Sequence, residues 1–243
     1  MNDSRQRSHQ PTKTSSTSTY ILGGVAAVVL VALVVGGLVW NAHRHRGGVS
    51  EQVLAQNASL VVGRQDAPLT IDVFEDFQCP VCKQFEAKSG QAISDAVDAG
   101  KIRVRYHILT FLDSHSGSGD YSSRAAGAAL CVAELEPQET WRRYHSVLYE
   151  RQPAENGKDF SNDQLADIAG EVGAGEPTKE CIRSQSKIGQ AKEFAKQSTE
   201  QLAKAQGGRA GTPSVLVAGR DIAGLTDGTG WLDKLIASSS TTG

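Results

Sequence analysis

Apolar residues change period several times along this chain, and each change marks an element. Leu69, Ile71, Val73 and Phe74 form a short, nearly continuous apolar run after Asp66-Ala67-Pro68, carried on to Phe77. That pattern predicts a central strand covered on both faces. From Lys83 to Ala99 the period lengthens. Cys82, Phe85, Ser89, Ile93 and Val97 recur at helical spacing, and Gly100 supplies a C-terminal cap. Lys101 to Ile108 then alternates strictly. Ile102, Val104, Tyr106 and Ile108 share one face and Lys101, Arg103, Arg105 and His107 the other, predicting a strand with one wet face. Strand, helix and strand at these lengths make a βαβ unit with a parallel sheet.

From Ser122 to Gln206 the pattern is helical. An alanine-rich stretch runs to Leu135, and Thr140 to Arg151 follows with Trp141, Tyr144, Val147 and Leu148 on one face. Ser161 and Gln164 make a capping box before Leu165, Ile168 and Val172, and Pro177 starts a further helix at its first turn. A polar helix spans residues 188–205, and Gly207-Gly208 ends the block. Gly211-Thr212-Pro213-Ser214 leads into a strand at Val215 to Val217. A turn at Ala218-Gly219, a hairpin partner over Asp221 to Leu225 and a short helix from Trp231 to Ile236 complete the chain. A proline directly before a sheet strand is a candidate for a cis bond in a tight turn, with a trans edge proline as the alternative.

The N-terminal part differs in kind. Residues 1–19 are polar and Ser/Thr-rich, the composition of a disordered tail. Tyr20 to Trp40 carries no charge, has the length a helix needs to cross a bilayer, and bears an aromatic residue at each end. A cleaved signal peptide has a shorter apolar region ending in a small-residue site, so an uncleaved anchor over 20–40 is expected. Residues 41–58, with Gly47-Gly48, read as a linker, and 238–243 as a flexible tail. The remaining residues, 59–237, suffice to bury a substantial core without staples.

A net charge of −2 over 243 residues indicates neither a nucleic-acid footprint nor a polyacidic tail. The chemistry lies in the cysteines. Cys79-Pro80-Val81-Cys82 falls at the strand-to-helix junction, which places one thiol at the positive end of a helix dipole and a second one turn on. The dipole favours a thiolate, and the pair closes into a small disulfide ring, as thiol–disulfide exchange requires. A zinc site is the competing reading of this spacing. It needs two further ligands at matched spacing, and Cys131 and Cys181 stand alone, while nothing places His107 or His115 near Cys79. No flavin, nicotinamide or metal motif is present, so no cofactor is expected. A thiol pair that makes disulfides belongs outside the cytosol. Flanking charges are nearly balanced, so this places residues 1–19 in the cytoplasm and the domain beyond the membrane.

Strand, C-x-x-C, helix, strand, a helical insertion and then Thr-Pro before a hairpin resembles the thioredoxin fold in its DsbA-like form. Gly63 to Phe85, with Asp66-Ala67-Pro68, Phe77-Gln78-Cys79-Pro80 and Cys82, carries the resemblance, as do Phe111-Leu112 and His115 before the insertion. The class implied is α/β, a thioredoxin-like fold with a helical subdomain inserted at about 114–206, preceded by a single transmembrane helix. The resemblance is to membrane-anchored bacterial oxidoreductases. It implies Cys79 as nucleophile, Cys82 as resolving thiol, and Thr212 and cis Pro213 as the loop against which substrate backbone pairs. It also implies unfolded exported proteins as substrates and a quinone-linked membrane reoxidase, DsbB-like or vitamin-K-epoxide-reductase-like. Two departures matter. The dipeptide Pro80-Val81 lacks the histidine frequent in the family, which implies a less oxidising pair. Val73 also stands where thioredoxin-like proteins often carry an acid, with Glu75 and Asp76 nearby read as surface or turn carboxylates.

Cys131 and Cys181 both fall in the insertion. In an oxidising compartment they are expected to form a structural disulfide, the alternative being two buried free thiols. A monomer is expected. The expected function is introduction of disulfides into exported proteins. Its rivals are a reductase or isomerase fed by a membrane electron donor, and a non-catalytic copper-binding or chaperone module.

Overall fold

The computed structural model describes residues 48–239. The tail at 1–19, the anchor at 20–40, the linker up to residue 47 and the last part of the 238–243 tail lie outside the described residues. Among the described residues no helix is long and apolar enough to cross a membrane.

The apolar run after Pro68 becomes the central strand of the sheet. Among the described residues five strands, β1 (Leu60–Val62), β2 (Leu69–Glu75), β3 (Ile102–Ile108), β4 (Ser214–Val217) and β5 (Arg220–Asp221), lie in the order β1-β3-β2-β4-β5. β2 pairs parallel with β3, from Leu69 opposite Ile102 to Glu75 opposite Ile108, and antiparallel with β4. The crossover between β2 and β3 is one helix in three stretches. α2 (Pro80–Phe85) passes through a π-helical turn at Glu86–Gly90 into α3 (Gln91–Asp98), so the helix starts at Pro80 rather than Lys83. It ends where Gly100 takes φ +66° and Lys101 N–H bonds back to Ala96 O, a conformation that glycine adopts without strain.

Period-two alternation decides which core each strand residue enters. Ile71 and Val73 of β2 join Val104, Tyr106 and Ile108 of β3 in the larger core, with Phe85, Ile93 and Val97 from the crossover helix. The opposite face holds Phe74 and Leu216, covered by Leu54 of α1 (Glu51–Asn57) and Leu202 of α8 (Ile188–Ala205).

Two expectations are corrected on that second face. The segment 41–58 is not all linker. Residues 51–57 form α1, capped by Ser50 and tied by Ser50 N–H to Gln201 Oε1 at 3.0 Å. Its signal was weak because a helix this short buries only Leu54 and Asn57. Nor is the polar face of β3 wet along its whole length: Lys101 is exposed and Arg103 partly so, but the second half is covered. Arg105 is 7% exposed and His107 fully buried. Arg105 donates to both carboxylate oxygens of Asp72 at 2.6 Å and to Glu51 Oε2 at 2.5 Å, while His107 lies between Asp72 Oδ1 and Ser198 Oγ. Alternation separates polar from apolar faces. It does not tell a solvated polar face from one whose charges pair beneath a helix.

The helical insertion comprises α4 (Tyr121–Leu135), α5 (Gln138–Glu150), α6 (Asn162–Glu171), α7 (Glu176–Arg183) and α8. α4 is buried over most of its length, and Gly127 lets Ile188 approach so closely that a Cβ there would meet its side chain at 2.9 Å. Cys131 of α4 and Cys181 of α7 are joined in a disulfide. The capping box at Ser161 and Gln164 is present. The final hairpin partner is only Arg220–Asp221, because the chain turns away through Gly224 and Gly228 at positive φ, and α9 (Gly230–Ser239) follows.

Candidate active site

The turn between β2 and α2 is built around one carboxylate. Asp76 Oδ1 accepts from Gln78 N–H at 2.9 Å and from Ser122 Oγ at 2.6 Å, and Oδ2 accepts from Leu112 N–H at 3.1 Å. Cys79 follows in an extended conformation as the N-cap of α2, with Pro80 in the first turn. The insertion holds this turn from outside. Gln152 Nε2 donates to Phe77 O at 3.0 Å and to Cys79 O at 2.9 Å, and Lys83 Nζ donates to Glu150 O at 3.0 Å. Across the turn the Thr212-Pro213 bond is cis, and Cys79 Sγ lies 3.5 Å from Thr212 O.

The two thiols are driven apart in acidity. A hydrogen bond from Cys82 lowers Cys79 to about 6 against the opposing effect of burial, helped by Thr212 and by the Cys82 and Val81 amides at the start of α2. Cys82 is fully buried and pushed well above the usual thiol value, first by burial, then by its bond to Cys79 and the charge of Glu75. The pair thus holds one thiolate, on the slightly exposed Cys79, and one protonated thiol on the fully buried Cys82. Ultraviolet thiolate absorbance of the reduced protein is expected to titrate with a midpoint near pH 6, a step that Cys79→Ala removes. A midpoint near 9 would refute the assignment. Since the folded value lies below the ordinary thiol value of 9.0, Cys79 stabilises the reduced fold fully above pH 9. That contribution is lost as pH falls through about 6.

Beneath the thiols lie three acids, Glu75, Asp76 and the partly exposed Glu86. Glu75 and Asp76 are both fully buried, which corrects their reading as surface or turn carboxylates. Burial raises Glu75 to about 8, Asp76 to about 7 and Glu86 to about 8. Glu75 Oε2 sits 2.9 Å from His145 Nε2 of α5. Among the described residues, Val81 and Phe111, 41% and 43% exposed, belong to the few large apolar side chains left in solvent. Val81 stands between the cysteines, and Phe111 precedes Leu112, which bonds Asp76.

A family model described as thioredoxin matches residues 55–235. The chain belongs to the thioredoxin family. Within it the similarity is to DsbA-like proteins. The structure of reduced DsbG, a disulfide bond oxidoreductase from Mycobacterium tuberculosis, is 32% identical with a TM-score of 0.58, covering 75% of this chain and 92% of that one. Reduced DsbA from the same organism is 31% identical with a TM-score of 0.57, covering 74% and 98%. The serine/threonine-protein kinase PknE of M. tuberculosis is 38% identical over 184 residues, 74% of this chain but only 32% of the kinase, so this chain spans about a third of that relative. The protein is a member of the DsbA-like thiol–disulfide oxidoreductases.

For a DsbA-like protein, the local motifs placed the thiols and the Thr212-Pro213 loop in one site, and left Cys131 and Cys181 away from it, bonded to each other. Sequence reasoning missed Glu86, one turn past Cys82 on the same helix, and His145 and Gln152, which reach the site from the insertion. Glu75 left a usable signal, since it lies two residues beyond Val73 and therefore on the same, inward face of β2. Among the described residues, Glu75, Glu86 and His145 are the one group whose potential ligand atoms lie together, all within 4.8 Å, and it includes neither thiol.

Proposed function

We propose that this protein is a membrane-tethered, extracytoplasmic dithiol oxidase that transfers the Cys79–Cys82 disulfide to exported proteins. The observation that carries this reading is the division of acidity between the thiols. A thiolate held near 6 stabilises the reduced pair, and whatever stabilises the reduced pair makes its disulfide more oxidising. A substrate thiolate attacks Cys79 Sγ, the new S–S bond forms, and Cys82 leaves with the electron pair of the old one. Glu75, carrying a proton at neutral pH, is the adjacent acid able to neutralise the departing Cys82. The substrate's second thiolate then attacks its own sulfur and expels Cys79 as thiolate. Two electrons pass from substrate to enzyme. A quinone-linked membrane partner, DsbB-like or vitamin-K-epoxide-reductase-like, withdraws them.

In this reading residues 20–40 anchor the chain with 1–19 cytoplasmic, and the protein acts as a monomer. Thr212, Pro213, Val81 and Phe111 form the surface that meets substrate. The hydrophobic pair suits unfolded chains, whose apolar side chains are exposed. The reverse flow, as a reductase or isomerase, is favoured by Pro80-Val81, which supplies no histidine to the thiolate. Equilibration in glutathione buffers decides between the two. An oxidase is expected at about −120 to −200 mV, and about −270 mV or below would make the protein a reductase. The potential should also fall by about 30 mV per pH unit above pH 6, where one proton accompanies two electrons, and about twice as steeply below it.

A further inference from the structure

His145 occupies the middle of a chain of buried proton carriers. Its Nε2 lies 2.9 Å from Glu75 Oε2 and its Nδ1 3.6 Å from Glu86 Oε2, with side-chain exposures of 4% for His145, 0% for Glu75 and 8% for Glu86. The two carboxyls also hydrogen-bond each other, which gives the proton a direct path beside the one through the ring. Trp141 stacks on the imidazole at 4.7 Å, and Phe77, Tyr106 and Tyr149 close around it, which fixes the ring between the two acids. A cavity of about 50 Å³ opens on the far side, lined by Glu86, Ser94, Arg142 and His145 among others, with room for water. Glu86 opens the π-helical turn, a feature often found at functional sites.

We propose that His145 relays the proton for Cys82, passing it between Glu75 and Glu86 so that it enters and leaves through the side cavity rather than past bound substrate. The inference rests on the dithiol reading above. When substrate opens the disulfide, Glu75 gives its proton to the Cys82 sulfur. His145 Nε2–H restores Glu75, Nδ1 takes a proton from Glu86, and cavity water reprotonates Glu86. The ring ends in its other tautomer. When the reoxidising partner closes the disulfide, Cys82 returns its proton to Glu75, and each transfer runs backwards, restoring the first tautomer. One proton enters per opening and one leaves per closing. The titratable and charged groups facing the ring are Glu75 from β2, Glu86 from the π turn, Tyr106 from β3, and Tyr149 and Arg142 from its own helix α5. The two tyrosines are held neutral by burial.

His145 acts through Glu75 and does not touch the sulfurs, so its test must read protons. The opening of the oxidised protein by a dithiol peptide is followed by stopped flow from pH 5 to 9, in water and in deuterium oxide. His145→Phe keeps the ring stack on Trp141 without nitrogens, and His145→Gln keeps polarity without a relay. Both are expected to slow opening by about 100-fold and to flatten its dependence on pH around neutrality, as loss of a general acid–base path does. The parent protein should show a normal deuterium effect that both variants lose. A His145→Phe profile superimposed on the parent's means that Glu75 and Glu86 pass the proton directly, and overturns the relay. A deuterium effect of unity in the parent overturns it without any variant. No opening in the parent at any pH removes the dithiol reading itself, an outcome distinct from both.

Discussion

Replacing Cys82 with alanine is expected to stop turnover at the mixed disulfide. In the reduced variant Cys79 remains at the start of α2, with its amide donors and Thr212 in place, so attack on a substrate disulfide proceeds. Release does not. The resolving thiol of the parent sits one turn away, and well-oriented intramolecular groups reach effective molarities of about 10⁵–10⁸ M. Free thiols at millimolar levels cannot replace it, and turnover should fall by about 10³-fold or more. The covalent complex should accumulate on non-reducing gels and vanish with reductant. Cys79→Ala should form no complex. Trapping through Cys82 in that second variant would reverse the two roles, and undiminished turnover in Cys82→Ala would remove the resolving step altogether.

The second large effect concerns stability. Cys131 and Cys181 close a loop with a sequence separation of 50. In the chain-entropy model a loop of this size stabilises the fold by about 4 kcal/mol, through the freedom it removes from the unfolded chain. The double variant Cys131→Ala, Cys181→Ala should therefore unfold at a urea concentration lower by about 2 M, taking a slope of about 2 kcal/mol/M. Exchange at Cys79 should persist while the protein is folded, because the disulfide joins α4 to α7 and bonds nothing in the active-site turn. A midpoint shift below about 0.5 M would show that the insertion is held by its packing instead.

What could be read from the sequence was whatever depends on near neighbours. Cys79 and Cys82 are legible because a strand end, a proline and a helix start follow one another directly, and the Thr212-Pro213 loop because a strand begins at once after it. The covered face of β3 was not legible. Arg105 and His107 alternate as a solvated face would, and their burial depends on α1 and α8, which lie far off in the chain. The acids beneath the thiols failed for a related reason. A carboxylate at a strand end is ordinarily at the surface, and only the docking of α5, with His145, closes over Glu75. Sequence spacing records which face a side chain takes, whereas burial on that face is decided by elements folded from elsewhere.

The amide of Gln152 gives the insertion a second meaning. By donating to the carbonyls of Phe77 and Cys79, it satisfies the main chain of the turn that presents the nucleophile. A segment such as 77–86, transplanted into another thioredoxin-like scaffold, would carry the two cysteines and the Cys82 and Lys83 amides that bond Cys79 O, but leave the Phe77 carbonyl without its Gln152 donor. The geometry of the thiolate is thus a property shared between two lobes, and a host protein would have to import the segment just after α5 along with the motif.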